Sequence, residues 1–463
     1  MAMGSVSALI LAAGQGTRMK SSHLKVLHRV GGRTMIDRVV SAAAAGGLEP
    51  CLVVVGHQAD SVRAELGDRV EYVHQERQLG TGHAVLQARD KIDPDSDLLV
   101  LYGDCPLVSP SLIGDILLQH RRREVWATIL TAVLDDPAGY GRVIRCSGGE
   151  FLEIREDIDC TPQEASIREI NTGMGCFRAG PLFEALERVG RDNQAGEYYL
   201  IDAFPLLREA GGRLQAIVAE DPVRVMGINS RVDLAAAEGL LNQGNLERLM
   251  LEGVTVVDPG STRVGEEVSV GPDTVIHPGS VIEGRSTIGS ECSIGPGAHV
   301  VSSRLGDRVE ILHSVVTESR LEDEVMVGPF SHLRPGTHLA RGVKVGNFAE
   351  IKNSQVGEGT KVPHHSYLGD AQVGAGVNLG AGSITVNYDG KNKHRTVIED
   401  GAFIGCNCNL VAPVRIGKRA FVAAGTTVTK DVPAGALALA RPKEQNIEGW
   451  VRRRLGPEDE SGQ

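Results

Sequence analysis

Val264-Gly265-Glu266-Glu267-Val268-Ser269-Val270-Gly271-Pro272-Asp273-Thr274-Val275-Ile276 begins a run in which an aliphatic residue returns at every sixth position, continuing through Ile282, Ile288 and Ile294 to Val300. Two positions before each stands a mostly small residue: Thr262, Val268, Thr274, Ser280, Ser286, Cys292 and Ala298. Apolar residues make up 41% of the chain, so seven hits in one phase would arise by chance with a probability of roughly 0.002, even before Val or Ile is required. A period of six belongs neither to a helix nor to an isolated strand. It is a hexapeptide repeat, one short flat strand plus a corner, and such units wind into a parallel β-helix whose aliphatic residues stack from coil to coil. Glycine and small residues are expected to make the corners.

The repeat continues with single-residue slips through Leu305, Ile311, Val316, Leu321, Val327, Leu333, Leu339, Val345, Ile351, Val356, Val362, Leu368, Val373 and Leu379. It resumes after an interruption at Ile398 and runs through Ile404, Leu410, Ile416 and Val422 to Val428. Residues 253–463 are therefore read as a β-helix domain with a C-terminal tail. Upstream, 231–252 is rich in Leu, Ala, Glu and Asn, with apolar residues such as Leu234, Leu241 and Leu249 at helical spacing. That stretch predicts a linker helix, with Gly239 and Gly244 as weak points.

Residues 1–230 read differently. Val6 to Ala13 is an apolar run followed by Gly14-Gln15-Gly16-Thr17-Arg18-Met19, and further runs lie at Leu52–Val55, Asp97–Leu101 and Ala127–Val133. Helical patterns at Met35–Ala45 and Ser109–His120 separate them, which predicts a doubly wound α/β domain. Ligands bind at the carboxyl ends of such strands, so Gly14 to Arg18 and Gly103-Asp104 should share a crevice. Glycine lets backbone N–H groups approach a phosphate, with Arg18 and Lys25 adding charge; the same Gly-x-Gly also serves as a plain tight turn. Asp104, closing Leu101-Tyr102-Gly103, is placed either to hold a metal ion on a nucleotide or to cap the following turn.

Composition narrows the function. The net charge of −11 argues against nucleic acid as a partner, and any acidic substrate must be drawn by local Lys and Arg. Eight scattered cysteines fit reduced thiols in a cytoplasmic protein. Neither a membrane-spanning run nor a secretory signal is evident.

Taken together, Leu11-Ala12-Ala13-Gly14-x-Gly16-Thr17-Arg18-Met19, Lys25-Val26-Leu27, Gln78-Leu79-Gly80-Thr81-Gly82-His83-Ala84 and Gly103-Asp104 resemble the sugar nucleotidyltransferases. With Gly139-Tyr140-Gly141-Arg142, Glu169-Ile170-Asn171-Thr172-Gly173, Gly196-Glu197-Tyr198-Tyr199 and the hexapeptide half, the chain from about residue 6 to 455 resembles one family in particular. These are the bacterial bifunctional N-acetylglucosamine-1-phosphate uridyltransferases and glucosamine-1-phosphate acetyltransferases, which supply precursors of peptidoglycan and lipopolysaccharide. The resemblance implies a left-handed β-helix and a homotrimer in which each acetyl site is shared between subunits, with UTP and acetyl-CoA as co-substrates. It puts the nucleotide at Leu11, Ala12, Ala13, Gly14, Gln75, Gly80, Thr81, Tyr102 and Gly103, with Arg18 and Lys25 on the phosphates. The N-acetylhexosamine falls at Gly141, Glu156 and Asn171, and Mg²⁺ at Asp104 and Asn229.

In the second half the pattern is disturbed at Asn387 to Arg395, an expected external loop, and upstream lie Leu333-Arg334-Pro335-Gly336, Asn347 to Lys352 and Pro363 to Asp370. Acetyl transfer to an amine requires a base, donors for the carbonyl oxygen and, for a sugar phosphate, positive charge. The resemblance makes His364 the base, puts Arg334 and Lys352 on the phosphate, and assigns sugar contacts to Tyr367, Asn378, Asn387 and Tyr388. Ala381, Cys406, Ala424 and Arg441 fall at acetyl-CoA. Three positions depart from the family. Leu24 replaces a proline before Lys25, which leaves that loop less constrained; Ile201 replaces a threonine; Cys406 replaces a serine. The rival readings are a single-activity nucleotidyltransferase with a merely oligomerising β-helix, as in ADP-glucose or GDP-mannose pyrophosphorylases, and a non-catalytic scaffold. Against the first stand the cluster from His364 to Tyr367 and the Asn387 loop. Against the second stand Gly14, Arg18, Lys25, Asp104 and Asn229 together.

Overall fold

The computed structural model describes residues 5–14, 16–440 and 443–456. The chain forms two compact units, Met1–Leu241 and Asn242–Gln463.

In the first unit the strand Val6–Leu11 is central. It pairs in parallel with Cys51–Val55 on one side and Asp97–Tyr102 on the other. Its side chains alternate, Ala8 and Ile10 entering one apolar layer and Leu9 and Leu11 the other, which is why the sequence shows an unbroken apolar run. Across the sheet the order is Leu214–Val218, Ala127–Val133, Glu169–Arg178, Asp97–Tyr102, Val6–Leu11, Cys51–Val55, Val70–His74, with Arg142–Arg145 and Phe151–Arg155 attached beside Glu169–Arg178. The helices Met35–Ala45 and Pro110–Arg122 start where hydroxyls cap them: Thr34 accepts from the Asp37 N–H and Ser109 from the Leu112 N–H.

Five of these strands lie outside the sequence reading: Val70–His74, Arg142–Arg145, Phe151–Arg155, Glu169–Arg178 and Leu214–Val218. The most consequential is Glu169–Arg178, which runs antiparallel between Asp97–Tyr102 and Ala127–Val133 and breaks register between Asn171 and Gly175. Its polar and glycine-rich start, Glu169 to Gly173, hides it from an apolar search.

The second unit is a left-handed β-helix of three parallel sheets with 11, 10 and 9 strands. Val264 pairs with Ile282 and Ile282 with Val300, so one coil consumes three hexads, and the one-residue slips appear as shorter coils, such as Ile288 with Leu305. All the repeat aliphatics from Val264 to Val428 are buried in one continuous core. At the interruption Thr385 occupies the inward position of the next hexad, fully buried. An aliphatic search passes over it, and the external loop is thereby confined to residues 387–395. The small residues before each aliphatic are buried too, and their hydroxyls tie coils together: Thr274 Oγ1 donates to the Gly289 carbonyl at 2.8 Å and accepts from the Cys292 N–H at 3.0 Å.

Glycine supplies only part of the corners. Many left-handed corner positions carry side chains, among them His313, Phe330, Phe348, Asn353, His365, Asp370 and Asn407. Each costs about 1–2 kcal/mol of backbone energy. Coil-to-coil bonding offsets it, as in Phe330 N–H to the His313 carbonyl at 2.9 Å, and His313, Phe330, Phe348 and His365 stack as an aromatic ladder with centroids 5.0–5.6 Å apart.

Arg231–Leu251 is one helix. Its second half does more than space the halves of the chain. Asn242 Oδ1 accepts from the Val264 N–H, its Nδ2 donates to the Thr262 carbonyl, and Leu246 and Leu249 join the β-helix core. The helix thus covers the first coil, whose end would otherwise be open.

Candidate functional sites

In the first unit the carboxyl ends of Val6–Leu11 and Asp97–Tyr102 open onto a cavity of about 450 Å³, lined by Leu11, Ala12, Ala13, Gly14, Lys25, Gln75, Gly80, Thr81, Tyr102 and Asp104. The Gly103 N–H donates to the Leu11 carbonyl at 3.0 Å, which brings the two strand ends together. A side chain on Gly103 would put its Cβ 2.7 Å from Ile36. Gly80, at φ +112°, is packed so that an added Cβ would lie 2.4 Å from the Tyr198 carbonyl oxygen. Beside Gly14, by contrast, the space is open.

At the rim, Asp104 and Asn229 converge on Lys25. The Lys25 ammonium forms an ion pair with Asp104 and donates to Asn229 Oδ1 at 2.9 Å, and the Arg18 guanidinium donates to the same oxygen at 2.8 Å. Asn229 is held from behind, its backbone N–H donating to Asp233 Oδ2 at 2.9 Å and its Nδ2 to the Gly227 carbonyl at 3.1 Å. Two hard oxygens, one carboxylate and one amide, thus meet at the Lys25 ammonium, with Arg18 also on the amide oxygen. That donor set suits a Mg²⁺ ion completed by phosphate and water, not an ion held by protein alone. Among the described residues no cluster of three or more His, Cys, Asp or Glu could hold a metal unaided.

Past Thr81 and Tyr102, which line both spaces, a second cavity of about 220 Å³ is bounded by Glu156, Asn171, Gly173, Tyr199 and Ile201. Gly141 lies behind this group, its carbonyl accepting from the Asn171 N–H at 2.8 Å. Burial raises the pKa of Glu156, helped by the nearby carboxylates of Asp159, Asp202, Asp157 and Glu197. The same surroundings push the Tyr199 phenol up to about 12. A pocket with apolar walls, including Phe177, Leu200 and Phe204, a few polar groups and no Lys or Arg in its lining is suited to a sugar with neutral hydroxyl and amide groups. Ile201 contributes an aliphatic wall where the family has a hydroxyl. At Leu24 the backbone keeps a φ of −55°, within the range a proline imposes, and its buried side chain anchors the turn in the core.

The second constellation follows from the coil geometry. Asn347, His364, Ala381, Cys406 and Ala424 occupy one corner of successive coils, each two residues after an inward aliphatic: Val345, Val362, Leu379, Ile404 and Val422. Neighbours in this column are about 4.8 Å apart. The His364 Nδ1 lies 2.6 Å from Asn347 Oδ1. An amide oxygen only accepts, so Nδ1 carries a proton, and in the neutral ring the lone pair is then on Nε2.

Beyond that corner, Lys352 and Gly369 face each other in register, and Arg334 bonds to the coil bearing Lys352 through the Ile351 carbonyl. Lys393, from the external loop, comes so close to Lys352 that it lowers its pKa, with Arg334 adding to the effect. Such a group of cations calls for an anion. Glu350 engages Arg334 at 2.7 Å. Gly369 allows a close approach: an added Cβ would lie 2.4 Å from the Tyr367 hydroxyl and 2.5 Å from Asn387 Nδ2. Asn387 is fixed by a 2.6 Å bond to Asp370 Oδ2. The loop is braced by Asp389, which accepts from the Asn392 and Lys391 N–H groups and from His394, lowering its pKa to about 2.

Tyr388, assigned from the sequence together with Asn378, is bridged through its backbone to Lys393 of this cluster. Asn378 sits on the outer face of its strand between Lys361 and Phe403, and Tyr388 is exposed with its hydroxyl bonded to the Gly390 carbonyl. Arg441 lies outside the described residues. Three residues escaped the sequence reading: Asp233 behind Asn229, Lys393 beside Lys352, and Asn347 behind His364. For Asn347 the signal was present, since it occupies the same place in its hexad as His364.

Comparison with known proteins follows this division. Residues 8–170 match the MobA-like NTP transferase domain, and residues 267–302 and 395–430 match the bacterial transferase hexapeptide repeats. The chain is 48% identical over 445 residues to a protein of Brevibacillus brevis described as bifunctional protein GlmU, covering 96% of each. A protein of the same description from a Geobacillus species is 49% identical over 447 residues, covering 96% of this chain and 97% of the relative. One from Acetivibrio thermocellus is 45% identical over 450 residues, covering 97% and 98%.

Proposed function

Since the chain belongs to the family of bifunctional GlmU proteins, we propose how its two units divide the family's two reactions. The protein acetylates glucosamine-1-phosphate with acetyl-CoA and transfers UMP from UTP to the resulting N-acetylglucosamine-1-phosphate, releasing pyrophosphate. One observation carries the assignment: each unit contains its own group of cations and polar side chains, matched to one of these reactions.

In the first unit UTP occupies the larger cavity and the N-acetylated sugar the smaller. A phosphate oxygen of the sugar attacks the α-phosphorus of UTP and pyrophosphate leaves. The attacking phosphate is already ionised, so no protein base is required. Lys25 and Arg18 neutralise the charge that gathers around the transferring group. Asp104 and Asn229 would hold Mg²⁺ against the nucleotide phosphates, where it would add positive charge to the same region.

In the second unit the cations Arg334, Lys352 and Lys393 receive the phosphate of glucosamine-1-phosphate, with Tyr367 and Asn387 against the sugar. His364 Nε2 takes a proton from the sugar ammonium. The free amine attacks the thioester carbonyl, the new C–N bond forms as the C–S bond breaks, and coenzyme A leaves as its thiol after taking up a proton. Asn347 keeps the imidazole in the tautomer this requires. Acetyl-CoA runs along the corner through Ala381, Cys406 and Ala424, with Arg441 as a further contact. A β-helix that only oligomerises has no use for these cations or for the Asn347–His364 pair.

Cys406 is exposed at that corner. A thiol donates a weaker hydrogen bond than the family's serine. Cys406→Ser is therefore expected to raise acetyl transfer several-fold, in line with a hydrogen-bond difference of about 1 kcal/mol, and to leave uridylyl transfer unchanged. Steady-state rates of both reactions check this. An acetylation rate that does not change would remove Cys406 from the working site.

The assembly is a homotrimer formed by the β-helices, in the cytoplasm. Exposed Phe330, Phe348, Phe403, Phe421 and Leu437 on the second unit support association through that half. Among the described residues no helix is long and apolar enough to cross a membrane. Truncation before about Val254 is expected to leave a monomer that retains uridylyl transfer, as light scattering and a pyrophosphate assay would record. A trimeric fragment would place the interface in the other half. The assignment as a whole is tested by incubation with glucosamine-1-phosphate, acetyl-CoA, UTP and Mg²⁺. N-acetylglucosamine-1-phosphate should rise first and UDP-N-acetylglucosamine follow.

A further inference from the structure

Resting on the reading of the larger cavity as the UTP site, we propose that His83 is a positioning residue that locks the side-chain amide of Gln75 in the one orientation that selects uracil over cytosine. Gln75 follows the strand Val70–His74, its backbone N–H donates to the Val55 carbonyl at 2.8 Å, and its side chain is 97% buried while lining the cavity. Its Nε2 lies 3.2 Å from the Gly80 carbonyl oxygen and 2.9 Å from His83 Nδ1. An amide nitrogen carries two hydrogens and only donates, so both are engaged and the imidazole Nδ1 is the acceptor. His83 is then neutral, with its proton on Nε2, and the exposed Gln87 amide, whose Nε2 is placed 3.4 Å from that nitrogen, must turn its oxygen to the ring. Burial, which lowers the pKa of this histidine, acts in the same direction.

What remains is Gln75 Oε1. Among the described residues it has no hydrogen-bond partner, and it is not sealed from the cavity. Flipping the amide would set this oxygen against the Gly80 carbonyl, an acceptor–acceptor contact in a buried place, and would require the imidazole to move its proton to Nδ1. The cavity therefore presents an acceptor, not a donor, at this point. Uracil offers a donor at N3–H, whereas cytosine has a lone pair at N3. A site that hydrogen-bonds one base edge rejects the other because buried polar groups are left unpaired.

The lock is itself held. His83 lies on the helix Thr81–Leu86, and its ring stacks on Tyr198 with centroids 6.3 Å apart and planes at 27°. The Arg191 guanidinium lies 5.3 Å from the centre of the Tyr198 ring. Gly82 bonds back to the Tyr198 carbonyl at 2.8 Å, which fixes the start of the helix to the same segment.

The test is the ratio of kcat/KM for UTP to that for CTP, measured on the full-length protein with N-acetylglucosamine-1-phosphate and with thermal unfolding of each variant as the control for folding. His83→Phe keeps an aromatic ring against Tyr198 but offers no acceptor. It is expected to lower the ratio about ten-fold, losing rate with UTP and gaining it with CTP. His83→Asn, whose Oδ1 can accept in place of Nδ1, should restore most of the ratio. If His83→Phe does not fold, His83→Ala is read in the same way. Gln75→Ala separates this inference from the reading beneath it. Should Gln75→Ala leave the ratio unchanged, the cavity is not the base site and both fail. Should Gln75→Ala lower the ratio while the His83 variants either leave it unchanged or slow both nucleotides equally, the site stands and the lock is overturned. Equal loss of the ratio in His83→Phe and His83→Asn would also overturn it.

Discussion

His364→Ala is expected to lower acetyl transfer by about 10²- to 10⁴-fold and to leave uridylyl transfer at its starting rate. The size of the loss follows from what the side chain does. The amine of glucosamine-1-phosphate arrives as an ammonium ion and cannot attack until a proton is removed. His364 is placed for this because Asn347 Oδ1 accepts its Nδ1 proton at 2.6 Å and leaves Nε2 free. His364 lies on an exposed corner, outside the aliphatic core, so its removal costs the fold little. Coenzyme A thiol release, followed with a thiol reagent, measures the loss, and pyrophosphate release from UTP and N-acetylglucosamine-1-phosphate serves as the control. An acetylation rate within a few-fold of the parent would mean that another group is the base.

The second large effect is the mirror image. Asp104→Ala should reduce uridylyl transfer by at least about 10²-fold, with acetyl transfer intact. Asp104 does two things at the rim of the nucleotide cavity. It orients Lys25, whose ammonium it shares with Asn229 Oδ1, and it is the carboxylate in the pair of oxygens suited to a phosphate-bound cation. Without it Lys25 loses its fixed position and the pair of oxygens loses its charge. Asp104→Asn keeps the shape and one oxygen, and should fall between the parent and alanine. Its rates with UTP, measured across a range of Mg²⁺ concentrations, distinguish the two contributions. If both variants kept parental rates, Asp104 would be no more than a cap for the following turn.

How much of this could be read from the sequence depended on the kind of regularity. The β-helix was legible almost residue by residue, because each inward position must be filled by an aliphatic residue at a fixed interval and nothing else satisfies the core. Where that rule relaxed, the reading failed locally: Thr385 fills an inward position as a buried hydroxyl, and corners such as Phe330 and His365 hold a left-handed backbone without glycine. In the first unit the buried parallel strands stood out as apolar runs. Glu169–Arg178 did not, because its start lines a cavity and carries Asn171, Thr172 and Gly173 in place of apolar residues. Val70–His74 was hidden for another reason: at the sheet edge, Glu71 and His74 face outward and break the run.

The candidate sites were legible as motifs but not as geometry. Nothing in the spacing of Lys25, Asp104 and Asn229 says that they meet at one ammonium group. Lys393 is one of several polar residues in the external loop, and only the structure sets it beside Lys352. Leu24 is the instructive departure. The exchange of proline for leucine suggests a slack loop, yet the buried leucine packs into the core with φ in proline's range.

The central claim, that the protein carries two separate sites, one for each reaction, is tested most directly by mixing. Asp104→Ala and His364→Ala proteins are each supplied with glucosamine-1-phosphate, acetyl-CoA, UTP and Mg²⁺, separately and in equal amounts together, and UDP-N-acetylglucosamine is quantified. Alone, the Asp104 variant should stop at N-acetylglucosamine-1-phosphate and the His364 variant should form almost no product. Together they should complete the sequence at about half the rate of the same total amount of parent protein, since each reaction is then carried by half the molecules. A mixture no more active than either variant alone, with both proteins folded, would contradict the two-site account.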